Sequence, residues 1–181
     1  MSGGAEPPAP SALPVVAPIV EAPWSADFVA QTLEVLLVGR GDDGLQNLRP
    51  VHAESLQLPM AVDREPAGVV LAAVGRYDLR PLVVHSTSWR AEPGRIVLTY
   101  VAAVELPAVI SPFLVTESIG RADLARGEAT AAPASIGTPQ VLEHALRHLS
   151  WLVRDDPAVR NVLAGWGSDL EAYVPEPFRN L

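Results

Sequence analysis

Two runs rich in β-branched and aromatic residues, Leu82–Arg90 and Arg95–Leu106, flank the tetrapeptide Glu92-Pro93-Gly94-Arg95. No other feature of the chain narrows its fold so far. Proline pre-sets φ at the second turn position and glycine accepts the positive φ of the third, as a type II turn requires. A β-hairpin follows, and the remaining elements must fit a sheet that contains it.

Other segments carry local signals of varying clarity. From Ser25, an N-cap residue, apolar side chains at Phe28, Val29, Leu33, Leu36 and Leu37 follow helical spacing, and Gly39 is a natural stop. The stretch 40–68 is cut by Pro50, Pro59 and Pro66, with room for one short strand in Leu48–Leu58. Val69–Tyr77 reads as a further strand, although Ala72 and Ala73 leave a helix open. Val109–Thr116 is a candidate fourth strand, and the alanine-rich Arg121–Gly137 reads as a mobile loop. Thr138-Pro139 opens the clearest helix, whose stripe is Leu142, Leu146, Leu149, Leu152 and Val153. Asp156-Pro157 repeats the cap-and-proline signal, and Ser168 with Glu171 has capping-box spacing for a last turn. Residues 1–23 hold six of the 18 prolines among alanines and other small residues, the composition of a disordered tail. The expectation is a tail at 1–23 and one α+β domain at 24–181. That domain has a mostly antiparallel sheet, an N-terminal helix, and a long C-terminal helix packed on one face.

Composition removes several chemistries. The 181 residues include no cysteine, and all 13 basic residues are arginine. Thiolate nucleophiles, thiolate metal sites, disulfides and lysine Schiff bases are therefore excluded. A formal charge of −8 argues against nucleic acid, which selects basic patches. No apolar run approaches the ~20 residues of a membrane helix, and no charged, apolar signal peptide opens the chain, so the expected compartment is the cytoplasm.

Four constellations could carry chemistry. Gly39, Gly41 and Gly44 spell G-x-G-x-x-G, but Asp42 and Asp43 would repel a pyrophosphate, and Leu45–Arg49 is too short for the phosphate-binding helix. This is read as a polar turn. His52-Ala53-Glu54 lacks the cysteines that a zinc deaminase needs. In the hairpin, strict alternation puts His85, Thr87 and Trp89 on one face, opposite Leu98, Tyr100 and Ala102. His85 is then either a hydrogen-bonded core residue beside Tyr100, or part of a ligand-binding lining made by His85, Thr87, Trp89 and Tyr100. Finally, His144 and His148 stand one helical turn apart, the spacing of two metal ligands. A third ligand would have to come from His52, His85 or a carboxylate. Alternatively, the stripe from His148 to Trp151 is a packing face, either beneath the tail or against a second copy in a homodimer.

With Val84-His85-Ser86-Thr87-Ser88-Trp89-Arg90, Gly94-Arg95-Ile96-Val97-Leu98-Thr99-Tyr100 and Glu143-His144-Ala145-Leu146-Arg147-His148-Leu149 in view, the chain resembles an uncharacterised family of actinobacterial proteins over roughly 80–155. The resemblance implies a bacterial, cytosolic protein and transfers no catalytic residue. The hairpin and trailing helix also look loosely like parts of the Nudix fold, without that family's G-x5-E-x7-R-E-x2-E-E-x-G box. The expected function is a non-catalytic small-molecule- or protein-binding or regulatory domain, with no cofactor specified. The alternative is a small hydrolase-like enzyme, degenerate Nudix-like or metal-dependent.

Overall fold

Strand β1 (Ala30–Gly41) is the spine of a computed structural model that describes residues 30–61, 63–121 and 137–173. From Leu33 to Gly39 every residue of β1 is buried, because the strand is central and both sheet faces are covered. Leu33, Val35 and Leu37 point to one face, whereas Leu36 and Val38 point to the other. This corrects the expected N-terminal helix: its described part, 30–39, is extended. A strand apolar on both faces offers Leu33, Leu36 and Leu37 at spacings that a helix would also show. The residues before Ala30, including the expected tail, lie outside the described residues.

Five strands complete the sheet. Gly41 pairs with Gly44, so Asp42-Asp43 is a two-residue hairpin loop; Gly44 takes φ +103°. The glycine triplet thus builds a turn, as expected, between two strands. β2 (Gly44–Pro50) and β3 (Leu56–Met60) pair antiparallel with successive halves of β1, with residues 51–55 between them. Two short strands therefore occupy the region read as holding one. The predicted hairpin forms as β4 (Arg80–Glu92) and β5 (Arg95–Glu105), with Gly94 at φ +75°. β5 lies parallel to β1, the one parallel pairing among the described strands. β6 (Leu114–Ser118) pairs with β2 and starts later than sequence suggested. The order is β4-β5-β1-β2-β6, with β3 also on β1.

Helix α1 (Pro66–Gly75) replaces the strand favoured over Val69–Tyr77. Glu65 caps it by accepting from the amides of Ala67 and Gly68, and Pro66 takes the first helical position. Its Val70, Ala73 and Val74 cover one face of the sheet. The other face receives α2 (Thr138–Asp155), α3 (Pro157–Val162), a 3-10 turn at Ala164–Trp166, and α4 (Gly167–Leu170). The α2 stripe behaves as its spacing predicted: Leu142, Leu146 and Leu149 are buried, each side chain worth about 1.5–3 kcal/mol of hydrophobic burial. Asp156 caps α3 by accepting from Ala158 and Val159. The architecture is α+β. Most of the expected loop at 121–137 falls outside the described residues. Among those described, no helix is long and apolar enough to cross a membrane.

Candidate functional site

A one-residue bulge in β4 decides which side chains can meet. Ser86 pairs with Tyr100 and Ser88 with Thr99, so Thr87 is the extra residue. Its hydroxyl donates to the Thr99 carbonyl at 3.3 Å, and the side chain is buried. Directly opposed residues of an antiparallel pair share a face. His85, opposite Val101, therefore lies on the α2 side, whereas Trp89, opposite Leu98, lies on the α1 side. Tyr100 is also on the α1 side. The expected shared face of His85, Thr87, Trp89 and Tyr100 is corrected accordingly: strict alternation fails at Thr87, and His85 is not beside Tyr100.

His85 instead meets the α2 histidines. Its Nε2 is 3.4 Å from His148 Nδ1, and the His148 ring lies edge-on to that of His144 with centroids 4.7 Å apart. All three rings are half-buried. Burial pushes His85 below the ordinary histidine value. Burial, with added repulsion from His144 and His85, holds His148 down to about 4. The His85 and His148 imidazoles are thereby held neutral at pH 7 and offer lone pairs. Among the described residues, no three histidine or carboxylate side chains already enclose a common point. His52 lies apart, in the exposed segment 51–54. Trp151 is 46% exposed, so the outer side of α2 remains apolar in part.

Further along the same sheet face is a polar network that sequence reasoning did not find. Buried Glu34 accepts from Arg90 Nη1 at 2.5 Å and from Thr99 Oγ1 at 3.3 Å on one oxygen, and from Ser55 Oγ at 3.2 Å on the other. Arg90 Nε also donates to Glu92, which accepts from Arg95 as well. The hydrogen bond to Glu34 raises Arg90, and those from Arg95 and Arg90 hold Glu92 below the usual carboxylate range. The available signal was a lone acid inside an otherwise apolar run, which demands a buried partner once that run is read as a strand. A cavity of about 500 Å³ opens beside it, walled by Glu54, Ser55, Gln57 and Thr138 among others.

A second buried carboxylate, Glu143 on α2, ties Arg121 and Arg147 together. Three further ion pairs, Arg40–Asp169, Arg49–Glu117 and Arg80–Glu105, lie nearer the surface. Among the described residues, no buried side-chain nitrogen or oxygen lacks a hydrogen-bond partner. Most arginines among the described residues are therefore engaged with carboxylates. Some apolar side chains, by contrast, lie open: Trp89 is 68%, Phe113 70% and Val109 84% exposed. No protein-family model matches the chain, and no curated protein is significantly similar to it.

Proposed function

We propose that this protein is a binding or regulatory domain that takes an apolar segment of a partner protein on the α1 side of its sheet. The observation that carries this is a row of side chains at one register. Leu58 on β3 stands opposite Leu33 on β1, Leu33 beside Leu98 on β5, and Leu98 opposite Trp89 on β4. The row crosses four strands, about 14 Å at ordinary strand spacing. It begins in a groove of about 550 Å³ between β3 and α1 and ends on the exposed indole of Trp89. Leu33 is buried at the middle of the row, while Leu58 and Leu98 are half-buried and Trp89 is exposed; accessible apolar surface spread along a line in this way suits an extended or helical peptide better than a small molecule, which needs concave walls around most of its surface. Tryptophan is also among the side chains most often dominant in protein interfaces. The engagement of arginines with carboxylates favours an apolar partner over a polyanion.

The test is selection of peptides from a displayed random library against the full chain, followed by affinity measurement on Trp89→Ser and Phe113→Ser. Trp89 is exposed, so its replacement leaves the fold intact. Loss of a central tryptophan costs at least ~2 kcal/mol at such interfaces, or about thirtyfold in affinity. The reading requires that loss in Trp89→Ser and not in Phe113→Ser. Peptides indifferent to residue 89 would end it.

A further inference from the structure

We propose that His85, His144 and His148 form a site for one divalent transition-metal ion of the zinc, nickel, cobalt or copper class, at the seam between β4 and α2. The site is on the opposite sheet face from the Trp89 row, and neither reading depends on the other. Two ligands of a tetrahedral ion bonded at ~2.0–2.1 Å stand about 3.3–3.4 Å apart. The His85 Nε2 and His148 Nδ1 atoms are at 3.4 Å. They come from different elements, so the fold, rather than one helix, fixes the spacing. The third ring, His144, is already in contact with His148 and only half-buried. As placed, the three rings do not enclose an ion together, so binding requires a change in the His144 side-chain torsion, with water in the fourth position.

The surroundings agree with this chemistry. An ion needs neutral imidazoles, and burial disfavours the protonated form of His85 and His148. When an ion replaces their direct contact, the ring that donated in it moves its single proton to the nitrogen turned away from the metal, where the other ring already carries its own. Three imidazoles without a carboxylate ligand select borderline-soft ions over magnesium or calcium. An ion here would also tie α2 to the edge strand β4, which at this point are held by few other contacts.

The experiment uses the full chain stripped with a chelator and titrated with cobalt(II), reading visible absorption, and with zinc(II) in competition with a chromophoric chelator. The expected result is one ion per chain. His85→Gln, His144→Gln and His148→Gln should each weaken binding at least tenfold, while His52→Gln leaves it unchanged. Because half-buried histidines can matter to folding, proton NMR of the unsubstituted protein is the second measurement. Cobalt should shift the ring protons of His85, His144 and His148 and leave those of His52 in place. Absence of saturable binding up to about 1 mM ion, binding undiminished by His85→Gln, or paramagnetic shifts confined to other residues would overturn the proposal.

Discussion

Arg121 reaches Glu143 with two nitrogens, Nε to Oε2 at 3.0 Å and Nη2 to Oε1 at 2.9 Å, although the arginine is half exposed and the carboxylate wholly buried. The same guanidinium donates to the carbonyl of Ala172 and lies 4.6 Å over the Tyr173 ring. One buried acid on α2 thereby fixes both the chain leaving β6 and the chain following α4. Burial and the neighbouring Glu143 raise Tyr173 above the usual phenol value.

Removing that acid should be costly. Glu143→Ala leaves a void and removes the buried carboxylate to which Arg147, only 13% exposed, donates, so the expected loss is about 3 kcal/mol, in the range for a broken buried pair. Arg121→Ala should cost less, about 1–2 kcal/mol, because Arg147 still faces the carboxylate. Urea denaturation of both variants checks the order. Equal losses would show that the two arginines do not share the burden as the geometry indicates.

The bulge at Thr87 makes a sharper prediction. Thr87→Val keeps the extra residue and loses one hydrogen bond, an effect of about 1 kcal/mol. Deleting Thr87 forces one half of β4 to turn its side chains to the wrong face, either His85 away from α2 or Trp89 toward it. That variant should fail to give a cooperative thermal transition. A deletion variant melting within a few degrees of the parent would show that register here is loosely specified.

Stability should depend on pH through the histidines. In metal-free protein, His148 titrates near 4 when folded and near the ordinary 6.5 when unfolded, and His85 is displaced in the same direction. Between those values the unfolded chain binds more protons. The contribution is therefore complete above about pH 6.5 and disappears as pH falls toward 4. Its size is on the order of 1 kcal/mol, since solvent screens a half-exposed ring. Urea midpoints between about pH 4 and 7, with chelator present, should rise with pH in the parent and more gently in His148→Gln. Identical slopes would assign the effect to other groups.

Gly39 offers a steric test. A Cβ there would stand 2.3 Å from Leu106 Cδ2 and 2.6 Å from its Cγ. Gly39→Ala should cost about 1–3 kcal/mol by overpacking. Adding Leu106→Ala should be less harmful in that background than in the parent, since the two changes share one volume. A strictly additive double-mutant cycle would show that Leu106 moves aside freely.

What the sequence determined by itself was the set of features written in a few adjacent residues. The Pro93-Gly94 turn, the Pro139 helix start and the Asp156 cap depend on backbone preferences that act within one turn of chain. The leucine stripe of α2 was legible for the same reason, since helical period and burial agree. Composition also excluded thiol and lysine chemistry without any structure. Only the tertiary structure decided the rest. Leu33–Val38 became a strand because layers close over both its faces, a fact no local window contains. Among residues flagged as candidate site members, His144 and His148 stay together on one helix, while His85 and Trp89 part at a bulge that strict alternation could not anticipate. Glu34 found Arg90, and His85 found His148, across 56 and 63 residues of chain. Such meetings are set by strand order and register, which arise from burying both sheet faces at once.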